Sequence, residues 1–370
     1  MIPIILNSIY FLFLVPCIFF VVLQNFGISY KVQKRIGFLL MTLMILIAGL
    51  RWETGTDWKP YYLLFDEIGF DNFMLIHHYD LGYKLLNLMV KIICNNYTFF
   101  LIFDSALSIY LVLYVIYKNK TNVLIAVLVF YTNYFLAHYL GSNRRIIAIG
   151  FGLGMFYCIY KNQYKKSIYL YIMAVLFHRT ALILALAYII PRRKISNIKC
   201  ITVIAGFSLL GITDLVLNML DFICTIGDKV THWYMFTNMK YHLTFAVTEG
   251  SGAVHNILGI LKRFIILIVF IFFYKRNKKE SKLYGYFFNL YVLSVCMYCI
   301  FVNIGTFAIM TTYFTIVEIF MWGFVYKFSD SENRILVTCL ITVICIIEVL
   351  SSFSPRFAQH FFPYRSVFTG

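Results

Sequence analysis

The sequence predicts an all-α polytopic integral membrane protein, and three observations carry that prediction. Hydrophobic residues make up 61% of the 370-residue chain, and the mean hydropathy is +0.81. Apolar runs close to membrane-spanning length recur along it. The few charged residues, 13% of the total, cluster between those runs. In a soluble protein a net charge of +16 would suggest nucleic acid. Here the basic excess sorts into short loops instead, so the expected partner is the bilayer and no nucleic acid is expected. The 29 Tyr and 38 Phe supply aromatic belts and, as a second use, stacking surfaces for sugars.

Taken in order, the apolar runs are 2–23, 36–50, 97–117, 123–140, 146–160, 167–190, 199–213, 257–274, 283–304, 306–326 and 334–351. They predict about eleven or twelve membrane segments in one membrane domain spanning 1–370. Six basic clusters separate them: Lys31/Lys34/Arg35, Lys118/Lys120, Lys161/Lys165/Lys166, Arg192/Arg193/Lys194/Lys199, Lys275/Arg276/Lys278/Lys279/Lys282 and Lys327/Arg334. The positive-inside rule assigns all six to the cytoplasm, which leaves segments 51–96 and 214–256 external.

That parity has two local consequences. Segment 81–94 cannot be a full span, and with Lys84 and Lys91 on one face it is expected to be an interfacial amphipathic helix. Run 167–190 has positive clusters at both ends and His178-Arg179 at its middle, so it reads as two short helices meeting near the outer face. One ordinary span with Arg192, Arg193 and Lys194 outside is the competing reading. The first run lacks a basic n-region and a clear cleavage site and is expected to be a retained helix.

Several chemistries find no motif. The nine Cys show no Cys/His metal spacing, and most, such as Cys296, Cys299, Cys339 and Cys345, sit inside apolar runs as small core residues. Phosphate loop, dinucleotide fingerprint and nucleophile elbow are absent from the sequence. No cofactor is expected, and an activated substrate must supply the driving force.

The most informative stretch is Arg51-Trp52-Glu53-Thr54-Gly55-Thr56-Asp57-Trp58-Lys59-Pro60-Tyr61-Tyr62, where charge and turn residues follow abruptly on an apolar helix. An arginine fork suits phosphate, and a nearby carboxylate suits proton or sugar-hydroxyl chemistry. An interfacial loop with snorkelling ends is the bland alternative. Arg144 and Arg145 open the 146–160 run after Gly141-Ser142-Asn143, where a helix N-terminus adds its dipole to two guanidiniums. Arg179 follows His178 at the break. On the 257–274 helix, Gly252, His255, Gly259 and Lys262 recur at helical spacing, with Arg263 beside them. That face suits a substrate channel or, equally, close helix packing with a snorkelling lysine. In the long 214–256 segment, Trp233 and Tyr234 are candidates for a mobile lid that stacks on sugars.

The ordered set Arg51-x3-Gly55-Thr56-Asp57-x3-Tyr61, Leu81-Gly82-Tyr83-x2-Leu86-Asn87, Arg144-x3-Ala148, Phe177-His178-Arg179-Thr180-Ala181-Leu182 and Pro363-Tyr364-Arg365 resembles the EpsG-type polysaccharide polymerases, which are similar to Wzy-type O-antigen and capsule polymerases. Two departures stand out: Asp80-Leu81 where the family usually has an acidic residue and Pro, and Ile309 where it often has Arg before a late Tyr-Phe pair. The resemblance implies a membrane glycosyltransferase of GT-C-like architecture in the bacterial cytoplasmic membrane, with its active site facing the periplasm or exterior. The donor would be a growing glycan on undecaprenyl pyrophosphate and the acceptor a lipid-linked repeat unit. A chain-length regulator is a further partner this reading admits. The chemistry assigns Arg51, Arg144, Arg145 and Arg179 to pyrophosphate, Asp57 to general base or acceptor orientation, and His178 to second candidate base. Tyr61, His255, Lys262, Arg263, Trp233 and Tyr234 are expected to line the substrate cavity. No metal is expected, because the arginines can take over its charge, although Asp57 with Glu53 keeps that question open. A flippase for the same lipid-linked oligosaccharide and a membrane acyltransferase using His178 are the alternatives from other classes.

Overall fold

A computed structural model describes the whole chain except residues 1, 7, 214, 232–235, 238, 242, 244–252, 277–281, 354–357 and 370. The described residues are overwhelmingly helical, and their sole β feature is an isolated bridge between Arg51 and Ser366. An all-α polytopic membrane protein is therefore what the chain forms. Among the described residues, seven helices are long and apolar enough to cross a membrane: Ile9–Phe26, Tyr30–Gly49, Tyr97–Asn119, Asn256–Tyr274, Lys282–Phe301, Ile309–Phe328 and Ser331–Ser352. An eighth span arises if Asn197–Gly211 and Leu215–Thr231, bent by 64°, count as one.

The remaining expected segments form shorter or broken elements. Run 123–140 becomes an α-helix, Val123–Phe130, continued by a π-helical stretch, Tyr131–Tyr139. Every residue of Val123–Phe130 is buried, as expected of a helix apolar all round its circumference. Run 167–190 breaks at His178 into Tyr164–Phe177 and the 3₁₀ segment Arg179–Tyr188. Segment 214–256, expected to be an external lid, contains the helix Leu215–Thr231. Trp233 and Tyr234, the lid candidates, lie outside the described residues.

The chain divides into two compact units, Met1–Ala185 with Glu318–Gly370, and Leu186–Val317. In the first, Ser29, Asn96 and Asn122 cap the helices that follow them by accepting amide hydrogens. Tyr30–Gly49 packs along Tyr97–Asn119, and Asn143–Tyr160 along Tyr164–Phe177. In the second, the buried Asn289 fixes the 191–195 loop: its Nδ2 donates to the Pro191 and Arg193 carbonyls while its Oδ1 accepts from the Ile195 amide.

Helix Leu81–Ile93 carries Lys84 and Lys91 on one face and turns that face toward the preceding chain. Lys84 Nζ donates to the carbonyls of Phe73 and Ile76, and Lys91 Nζ to those of Asp66 and Ile68. Both lysines therefore face the 66–76 segment. An ammonium has three donors and no acceptor, and the free carbonyls at the end of helix Trp58–Glu67 suit it. The exposed stripe is instead Leu81, Leu85, Met89, Ile92 and Ile93.

Two glycines hold the region together through close approach. A Cβ on Gly82 would lie 2.9 Å from the Leu176 carbonyl oxygen, so only glycine lets Leu81–Ile93 meet the end of Tyr164–Phe177. Gly55 has φ +109, and a Cβ there would lie 2.1 Å from the Leu140 carbonyl oxygen. Gly55→Ala combines left-handed strain with a backbone clash and is expected to destabilise the protein by more than about 2 kcal/mol. The thermal midpoint of the purified protein in detergent measures this. An unchanged midpoint would show that the loop rearranges freely.

Candidate active site

The site grows from the loop that leaves helix Tyr30–Gly49. Glu53 and Gly55 both have positive φ, which turns the chain sharply before helix Trp58–Glu67. The loop is held from two sides. Thr56 Oγ1 donates to the Gly141 carbonyl (3.2 Å). Residues 358–369 form the other support: the Trp52 amide donates to Arg365 O, the Gly55 amide to His360 O and the Val367 amide to Leu50 O, at 2.7–2.9 Å. Arg365 also pairs with Glu53 at 3.0 Å.

Asp57 stands at the N-cap position of Trp58–Glu67 but makes no side-chain cap bond. Its Oδ2 accepts instead from the Tyr61 hydroxyl (3.3 Å). Burial raises the Asp57 carboxyl above the ordinary carboxylate range, while the charges of Arg145 and Arg144 and the hydrogen bond from Tyr61 oppose the rise. A carboxylate of that kind is a stronger base than a solvated one. The Tyr61 hydroxyl also accepts from Arg144 Nε (3.2 Å) and lies 3.2 Å from Ser142 Oγ. With its proton given to Asp57, its two lone pairs receive Arg144 and Ser142, a fully satisfied arrangement.

Arg144 is the centre of the cluster. Its Nη1 donates to Asp80 Oδ2 at 2.8 Å, and its guanidinium lies 5.1–6.0 Å from the rings of Tyr79, Tyr61 and Tyr83. Arg179 reaches the same carboxylate: its backbone amide and its Nε donate to Asp80 Oδ1 at 3.2 and 3.1 Å. Arg144 is 17% exposed and Arg179 46%, so both present guanidinium surface outside the cluster. Arg145 completes the basic group, its charge acting on both Asp57 and His178.

His178 is buried, and its Nδ1 receives the Thr180 amide (3.3 Å) with the Thr180 hydroxyl 2.7 Å away. A backbone N–H can only donate, so Nδ1 is an acceptor and the neutral ring carries its proton on Nε2. The lone pair a general base needs is thus already engaged.

The structure brings Asp57, Tyr61, Arg144, Arg145, His178 and Arg179 together and separates Arg51 from them by depth. Arg51 is 1% exposed. Its Nη2 donates to Asn143 Oδ1 (2.7 Å), and its guanidinium packs over the Tyr139 ring. The Tyr139 hydroxyl in turn lies within hydrogen-bond distance of the buried pair Asp104 and Ser105, at 3.1 and 2.7 Å. Among the described residues Arg51 Nε and Nη1 meet no hydrogen-bond acceptor, and Arg51, Asp104 and Asn143 are all buried, so this layer is a polar core. The expected direct phosphate contact by Arg51 does not fit this burial. Instead it sits beneath Asn143, the first residue of the helix that carries Arg144.

Lys262 and Arg263 belong to the Leu186–Val317 unit, where Arg263 donates to Gly259 O (3.0 Å) and stacks 3.3 Å from the centre of the Tyr298 ring. His255 lies on helix Ala253–Arg276, its side chain outside the described residues. Sequence reasoning missed Asp80, Ser142 and Thr180 as site residues. The signals for Asp80 were its position directly before the Leu81-Gly82-Tyr83 motif and the acidic residue usual there in the family the chain resembles.

The family model that matches the chain describes the EpsG family and covers residues 34–366. No curated protein and no solved structure matches. The chain belongs to the EpsG family, a Wzy-like family of polysaccharide polymerases.

Proposed function

We propose that this EpsG-family protein joins lipid-linked oligosaccharide repeat units into a surface polysaccharide, by glycosyl transfer at the outer face of the bacterial cytoplasmic membrane. The observation that carries the reading is the convergence of Arg144, Arg145 and Arg179 on one carboxylate-bearing cluster beside Asp57. Three guanidiniums against two carboxylates leave the cluster net positive, as an anionic leaving group requires.

In this reading a hydroxyl of the acceptor sugar attacks the anomeric carbon of the donor glycan. The new glycosidic C–O bond forms as the bond to undecaprenyl pyrophosphate breaks, and the electron pair leaves with the pyrophosphate. Arg144, Arg145 and Arg179 stabilise the charge that develops there. Asp57 takes the hydroxyl proton, its raised basicity suiting that role. His178, with Nδ1 engaged by Thr180, offers an Nε2–H donor rather than a base. Arg51 acts as a positioning residue through Asn143. GT-C-like architecture, a chain-length regulator as a further partner, and sugar contacts by Trp233 and Tyr234 belong to the same proposal.

Purified protein given lipid-linked repeat units tests it directly. Longer lipid-linked glycan with release of lipid pyrophosphate is the expected product. Translocated but unextended lipid would identify a flippase, and acylated sugar an acyltransferase; either result would overturn the proposal.

A further inference from the structure

We infer that Asp80 is a built-in competitor for the anion site, occupying Arg144 and Arg179 when no pyrophosphate is bound and reclaiming them as the product leaves. The inference rests on the pyrophosphate reading above and adds to it the means of product release. Its first support is the way the carboxylate divides. Asp80 Oδ2 takes Arg144 Nη1 at 2.8 Å, and Oδ1 takes Arg179 Nε at 3.1 Å and the Arg179 amide at 3.2 Å. Two oxygens of one anion bridging two guanidiniums is the pattern a phosphate group would make with the same donors.

The second support is that Asp80 has somewhere else to go. It stands at the N-cap position of helix Leu81–Ile93 with φ −71 and ψ 146, the extended backbone an N-cap residue needs, yet its side chain makes no cap bond. The Lys84 amide already bonds its backbone carbonyl. A rotation about the side-chain bonds alone would transfer the carboxylate from the arginines to the free amides at the start of its own helix. Both states satisfy the carboxylate without moving the backbone. An incoming pyrophosphate, carrying more charge, displaces Asp80 to the helix end. Once the glycan has been transferred, the carboxylate returns and weakens the hold on lipid pyrophosphate. The Arg179 amide, a third donor to Oδ1, is released in the same rotation and becomes available to the anion.

Asp80→Asn keeps the shape and removes the competing charge. Binding of inorganic pyrophosphate to the purified, monodisperse protein is expected to tighten about tenfold in this variant, while multiple-turnover polymerisation slows. Asp80→Glu, which retains the charge, is expected to keep pyrophosphate affinity near that of wild type. A purely structural role predicts the reverse for Asp80→Asn: arginines lose their anchor, and pyrophosphate binds more weakly. Weaker or unchanged binding in Asp80→Asn, or tightening in both variants, overturns the competitor role and leaves the pyrophosphate reading standing. If wild type binds no pyrophosphate and Arg144→Ala alters nothing, the pyrophosphate reading fails and the competitor role with it.

Discussion

Arg144→Lys is expected to lower polymer synthesis by about a hundredfold or more at equal protein abundance, although the charge is kept. The guanidinium makes two directed bonds, Nε to the Tyr61 hydroxyl and Nη1 to Asp80, and presents its flat face to Tyr79. An ammonium on a flexible stem cannot span both acceptors and lie flat on a ring. Hydrogen bonds to charged groups contribute about 1.5–3 kcal/mol each, so loss of the Tyr61 bond and of one arm of the fork that takes the pyrophosphate in place of Asp80 accounts for the expected factor. Tyr61 would also lose the donor that aims its own proton at Asp57. Polymer length and amount in membranes with matched protein levels measure the effect. Near-normal polymer from the lysine variant would show that only charge matters at this position and would remove Arg144 from the leaving-group contact.

Asp57→Asn is expected to lower turnover by about 10²–10⁴, the range typical for a lost general base, while binding of lipid-linked substrate is retained. The pH dependence gives an independent readout with a definite sign. A base must be deprotonated to act, so wild-type activity falls as pH drops through the Asp57 pKa. Burial raises that pKa, and the fall therefore begins at a higher pH than for a solvated aspartate. In the Asn variant the residual activity is expected to lose that acid limb. A variant profile that keeps the same limb would assign the titration to another group, and full activity would reject Asp57 as base.

Much of the architecture was legible because membrane helices announce themselves by run length and by charge at their ends. The break at His178 was readable for the same reason: a 24-residue run flanked by basic clusters and interrupted by His-Arg is hard to accommodate as one span. The π-helical continuation over Tyr131–Tyr139 and the inward turn of Lys84 and Lys91 were not legible. Each depends on which neighbour fills a given side, and run length carries no information about neighbours. Arg51 shows the limit most plainly. Its place at a helix end suggested a phosphate ligand, whereas its partner Asn143, 92 positions away, draws it under the site. Asp80 was overlooked because an acidic residue before a helix is usually a local cap, and here distant arginines outcompete the local amides.

The support that residues 358–369 give the Asp57 loop also sets an order in time. Glu53 and Arg365 are separated by 312 positions, and at synthesis rates of about 5–20 residues per second the loop waits on the order of 15–60 s for its brace. Throughout that interval the early helices can insert in the membrane, but the turn that presents Asp57 has no partner for the Trp52 and Gly55 amides. A half-made chain thus carries most of the arginines of the site without the loop geometry needed to use them. On the proposed function, polymer synthesis is therefore deferred until translation has passed residue 365.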